Sequence, residues 1–184
     1  MDCGSHTHTE AQSVSIIGLL FLGLTVAFVS LNTLGFMNVG YTFDTGGYDI
    51  IVMAFSAVLT IFGMAACRHG MSVRATVMIL AGTVNLAFAA LEYAVFDPTT
   101  LSMMDLMLFI VLMVVAIAAW LQSDRVSAIL AIVLGIHFLG YFVGGSAGQW
   151  MCIVLGIALF ILTLAEAAWE LTDGFTRISA GDDS

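Results

Sequence analysis

Residues 101–121 run Leu101-Ser-Met-Met-Asp105-Leu-Met-Leu-Phe-Ile110-Val-Leu-Met-Val-Val-Ala-Ile-Ala-Ala-Trp120-Leu121. A polar break follows at Gln122-Ser-Asp-Arg125. A second apolar run then covers Val126-Ser-Ala-Ile-Leu130-Ala-Ile-Val-Leu-Gly135-Ile-His137-Phe-Leu-Gly140-Tyr-Phe-Val-Gly-Gly145. A helix needs about 20 apolar residues to cross the hydrocarbon core of a bilayer. Both runs have that length. Barrel strands would be ~10 residues of alternating polarity, whereas these runs are apolar on every side. So short a break forces the two helices to be antiparallel.

Four more runs of this kind flank the pair, at Val14–Val39, Asp49–Cys67, Val73–Val95 and Ala147–Glu170. The expected fold is therefore all-α, an integral membrane bundle of six transmembrane helices. Its parts are a polar N-terminal tail at 1–12, a six-helix membrane domain at 13–171 and an acidic cytoplasmic tail at 172–184. The N-terminal tail carries His6, His8 and Glu10 and has no basic stretch, so it does not read as a signal peptide.

Composition agrees. Hydrophobic residues make up 61% of the chain and charged ones 9%, with a mean hydropathy of +1.08. A soluble domain carries about 25% charged residues, so lipid must cover much of this surface. The net charge is −9, from thirteen acids and four arginines with no lysine. That excludes a nucleic-acid partner, which needs a basic surface. Cys3, Cys67 and Cys152 are isolated, with no metal or redox spacing. No nucleophile elbow, phosphate loop or zinc motif is present, so neither an enzyme, a cofactor nor a bound metal is expected.

The arginines set the orientation. Arg68 follows the second run, Arg74 opens the third, Arg125 follows the fourth and Arg177 follows the sixth. All four fall on the side that holds the N-terminus. The positive-inside rule makes that side cytoplasmic and places both termini there, in a multi-pass protein of the cell membrane.

Polar groups inside apolar runs are costly and so become functional candidates. Asn85 sits near the middle of the third run, where it suits either a small polar solute or a hydrogen bond to another helix. His137 is near the middle of the fifth, suited to proton relay or to a bond with one neighbour. Glu92 and Asp105 fall towards the ends opposite the arginines, within reach of the headgroups, and Glu92 is placed to face a vestibule. Glu166 and Glu170 are one turn apart on one face. They are placed to pair with a base such as Arg74 or Arg125, or to mark the mouth of a conduit. Trp120, Trp150 and Trp169 lie near run ends, as interfacial tryptophans do. Small residues recur at Gly18, Gly23, Ser56, Thr60, Gly63 and at Gly140 with Gly144, which would let helices approach closely.

The segment Ala147-Gly-Gln-Trp150, continuing to Leu164-Ala-Glu166-Ala-Ala-Trp-Glu170, resembles the closing signature of the acetate uptake transporter family, also called the acetate/succinate–proton symporter (YaaH-like) family. Ile61-Phe62-Gly63 with Arg68-His69-Gly70 is similar to that family's second-to-third helix connection. Gly82 falls where it has a glycine, and Gly140-Tyr-Phe-Val-Gly144 looks like its Gly-Asn-x-x-Gly. The chain departs from the pattern at Ser13-Val-Ser-Ile16, where the family has Asn-Pro-x-Pro, and at Ala81 and Val84-Asn85, where it has aromatics. The resemblance implies a hexameric homo-oligomer with a conduit through each protomer. It also implies a constriction at Leu22, Ala81 and Leu134 (or Leu130), from helices one, three and five.

The expected function is transport of a small solute. The leading candidate is a short, acetate-like monocarboxylate carried with a proton, since no base lies within the membrane to neutralise an anion. Two alternatives stay open: a channel for a small neutral solute such as urea or ammonia, and a non-transporting membrane assembly protein. On the leading view the substrate path comprises Leu22, Ala81, Asn85, Leu134 and His137, with Glu92, Glu166 and Glu170 at its mouths.

Overall fold

In the computed structural model, residues 3–39, 45–92 and 98–181 are described, with side chains described at 10–31, 50–87 and 102–173. Six helices hold nearly all of them: α1 (Cys3–Val39), α2 (Thr45–Arg68), α3 (Ser72–Glu92), α4 (Pro98–Leu121), α5 (Arg125–Val143) and α6 (Gly145–Gly181). The backbone of α1 begins inside the segment expected as a polar tail, and α6 runs on through most of the acidic one. Each of these two helices has 37 residues, or about 55 Å at 1.5 Å per residue, well beyond a hydrocarbon core of ~30 Å. Pro98 opens α4, where its missing N–H leaves no bond unmade.

Five segments are long and apolar enough to cross a membrane: Glu10–Leu31, Ile50–Arg68, Ser102–Leu121, Arg125–Val143 and Gly145–Asp173. The described part of α3, Ser72–Ala87, is apolar and shorter. The outside of the bundle is apolar too. Along α4, Met107 is 67% exposed and Trp120 61%, with Ile110, Val114 and Ile117 between them also exposed. Soluble monomers do not present an apolar surface of this extent. The chain is a membrane protein.

Two of the turns share one design. Gly70 has φ +81 and donates to the Cys67 carbonyl at 3.1 Å, while Met71 donates to Ala66 at 3.1 Å. That is a left-handed helix stop with the paired bonds of a Schellman cap. Between α4 and α5 the left-handed position is Ser123, with φ 63. Ser123 donates to Trp120 and Asp124 to Ala119 in the same pattern. Asp124 then caps α5, its carboxylate accepting from the Ser127 N–H at 3.1 Å.

The helices form a closed ring in chain order. α1 packs on α6 and α2, α2 on α3, and α5 on α4 and α6, while α3 also reaches α1, α4 and α5. Among the described residues no α3 Cα comes within 8 Å of α6. Close approach is made by small residues. A Cβ on Gly82 would stand 2.7 Å from the Ser56 carbonyl oxygen across the α2–α3 interface. The expected Gly140–Gly144 face does not form, because Gly144 (φ 65) terminates α5. Instead Gly140 meets Gly148 across the turn, where an added Cβ would lie 3.0 Å from the Gly148 carbonyl oxygen.

Candidate functional site

Two layers stand out, one at the arginine-bearing end and one deeper in the bundle. At the end, Arg74 of α3 turns its side chain into the bundle instead of out to water, at 13% exposure. Its guanidinium donates to Ser15 Oγ of α1 at 2.6 Å and to Glu166 Oε1 of α6 at 3.3 Å, and it pairs with Glu170 Oε1. Ser15 also donates to Glu170 Oε1 at 3.2 Å, and the Gln12 amide donates to the Glu170 backbone carbonyl. The long arginine chain thus joins α3 to α6, whose backbones stay apart. Of the two bases weighed from sequence, Arg74 is the one that the pair engages. Ser15 and Gln12 carried no signal in the sequence, since only the fold brings them beside Glu170.

Arg74 also lines an open groove of about 280 Å³ with Gly70–Val73, Gln122 and Asp124. The starts of α1, α3 and α5 therefore share one end of the bundle with the last membrane turns of α6.

The deeper layer can be placed by register. Leu22 lies seven residues past Ser15, and Ala81 seven past its partner Arg74. At 1.5 Å per residue both are about 10 Å inward. Leu134 is nine residues into α5, as Ala81 is into α3. All three belong to one buried cluster, at 1%, 1% and 0% exposure. By helix register Leu22, Ala81 and Leu134 fall at similar depth, and all three, with Leu130, belong to the same extended buried core.

Asn85 is one turn further in and also buried. Its amide donates to the Ala81 carbonyl of its own helix at 2.7 Å, not to another helix. His137 is bound across helices. Its Nδ1 lies 2.9 Å from the Cys152 carbonyl oxygen of α6, which can only accept, so Nδ1 carries the hydrogen. Cys152 Sγ donates back to the His137 carbonyl at 3.3 Å. The histidine ring sits edge-on to Phe138 and Tyr141. This clasp occupies Nδ1 of the ring. Ser56 Oγ on α2 is buried with no hydrogen-bond partner, a feature that helix periodicity does not reveal. The side chain of Glu92 lies outside the described residues, as does that of Arg177.

Compared with protein-family models, curated proteins and solved structures, the chain matches none.

Among the described residues no group of three His, Cys, Asp or Glu side chains is placed to hold a metal. What the two layers can do chemically is limited. In the outer one, the inward-turned Arg74 is already engaged by two carboxylates. The inner one is apolar, with an amide and an imidazole close by.

Proposed function

We propose that this chain is a small-solute membrane transporter whose six helices cross the bilayer with both termini in the cytoplasm. Its solute is a short, acetate-like monocarboxylate taken together with a proton. The observation that supports this reading is that Leu22, Ala81 and Leu134 from α1, α3 and α5 are all buried in the bundle core, at similar depth by helix register. An apolar closure of that kind resists water and ions and admits a small solute when it parts. The engagement of Arg74 supports the proton. Its charge is already met by Glu166 and Glu170, so it offers nothing to a bare anion, and a neutral acid crosses an apolar layer at lower cost. Membership of the acetate uptake transporter family, and its hexameric assembly, belong to the same proposal and rest on the motif resemblance.

The near-zero exposure of those three residues favours one other reading, a protomer sealed by packing that serves only in assembly. Uptake into proteoliposomes of acetate, succinate, urea and glycerol, measured side by side, separates the two. Acetate uptake that rises with an inward proton gradient is expected. Ala81→Trp should abolish it while the size-exclusion profile stays that of the wild type. Equal uptake by a correctly assembled Ala81→Trp protein would refute this path, and no uptake of any solute by the wild type would favour the assembly role.

A further inference from the structure

The second turn of α4 holds an acid with no hydrogen-bond or ion-pair partner among the described residues. From sequence, Asp105 is close enough to the helix end to reach the headgroups. In the structure it is 8% exposed and lies within the membrane-spanning segment Ser102–Leu121. Among the described residues no hydrogen bond or ion pair reaches its carboxyl.

The other described acids are accounted for. Glu166 and Glu170 hold Arg74, Asp124 caps α5, and Glu10 and Asp173 lie at the arginine-bearing end. Arg68, Arg74 and Arg125 are at that same end. Asp105 is sixteen residues before Leu121, about 24 Å away along the helix axis.

Among the described side chains, the titratable groups of this half of the bundle are His137 and Tyr141 on α5 and Cys152 on α6; the side chains of Tyr48 and Asp49 on α2 and of Glu92 on α3 lie outside them. None is a guanidinium or an ammonium. His137 is committed to the Cys152 carbonyl. Cys152 directs its thiol to the His137 carbonyl.

We propose that Asp105 is a proton-binding site inside the bundle, the point at which the co-transported proton is held. The proton's role as a co-substrate rests on the transport reading. The binding site itself rests on the geometry: Asp105 is largely buried, no described side chain balances its charge, and unpaired ions inside a membrane are costly. The step is a simple protonation. One carboxylate oxygen forms an O–H bond with a proton delivered by water, and the same bond breaks on release, with no redox change. Asp105 is seven residues from the start of α4, so the nearer water lies beyond the end opposite the arginines.

The test is infrared difference spectroscopy of the full-length protein in lipid vesicles without solute, across a pH series. Wild type is expected to show the carbonyl stretch of a protonated carboxyl, which fades as pH rises and is missing from Asp105→Asn. Asp105→Glu should restore a shifted band, and it decides the matter if Asp105→Asn fails to assemble. A band unchanged in an assembled Asp105→Asn protein, or no protonated carboxyl in the wild type at any pH, overturns the site. Acetate accumulation driven by a pH gradient is then compared between wild type and Asp105→Asn. Equal accumulation removes Asp105 from coupling and leaves transport standing. A titrating Asp105 band in a wild type that moves no solute leaves the proton site standing and sinks the transport reading instead.

Discussion

Gly82→Ala should loosen the α2–α3 pair, and the structure indicates by how much. The new Cβ would meet the Ser56 carbonyl oxygen at 2.7 Å and the Thr60 backbone nitrogen at 2.9 Å, with Thr60 Oγ1 nearer still. Ordinary van der Waals contact begins at 3.4 Å. The two helices must therefore part by roughly 0.5–0.7 Å, a gap that already forfeits about a quarter of each contact energy across it. Two of the three obstructing atoms are backbone, and the third is held by its bond to the Ser56 carbonyl at 2.9 Å. No side-chain rotation relieves the clash. Overpacking of this kind costs about 1–3 kcal/mol. Gly18→Ala is the control. Its Cβ would approach Met78 Sδ at 2.6 Å and Cε at 2.7 Å, but these are the far end of a flexible side chain that can swing aside, so the loss should stay below about 1 kcal/mol. Unfolding by SDS in mixed micelles, followed by far-ultraviolet circular dichroism, measures both. If Gly82→Ala is as stable as wild type, or if the two variants lose equally, the idea that backbone contact sets the α2–α3 spacing is wrong.

Two further outcomes are expected. Arg74→Gln leaves Glu166 and Glu170 facing each other without a cation, and should destabilise the protein by about 2–4 kcal/mol in the same assay; Glu166→Gln, which spares the Glu170 and Ser15 contacts, should cost less than half of that. An impermeant thiol reagent should label a Thr45→Cys variant, with Cys3 and Cys67 changed to serine, only from outside the cell, and labelling only from inside would reverse the proposed orientation.

The helical architecture was legible because its signal is one-dimensional. Leu101–Leu121 and Val126–Gly145 are apolar over the length of a bilayer, and a break as short as 122–125 leaves few ways to connect them. The extent of the helices was less so. The backbone stays helical through residues 3–12 and beyond Glu170, where polarity argued for tails, because a helix already started extends at little cost per residue. The pairing of Glu166 and Glu170 with a base was legible from their one-turn spacing, and the choice of Arg74 required knowing that α1, α3 and α6 converge. Asn85 shows the limit of the method. It is buried, yet its amide turns back to Ala81, a local bond that no pattern of polarity forecasts. Asp105 was misjudged because distance from a helix end says nothing of which face it occupies, and the face it takes points inward.

Charge links the two ends of the bundle under the transport proposal. At the arginine-bearing end, one guanidinium serves two carboxylates, and the groove beside it also holds Asp124. A free carboxylate would meet more acid than base there. Towards the other end, Asp105 has no counter-ion among the described residues. Neither region attracts an anion, and on this proposal the layer between them is closed by the buried Leu22, Ala81 and Leu134. Such a path suits a solute only when its charge has been cancelled. A carboxylic acid meets that condition by taking up a proton, and urea or ammonia meets it from the start. The response of uptake to a proton gradient is therefore more discriminating than uptake alone. Acetate entry should follow the gradient and depend on Asp105, whereas entry of a permanently neutral solute should depend on neither.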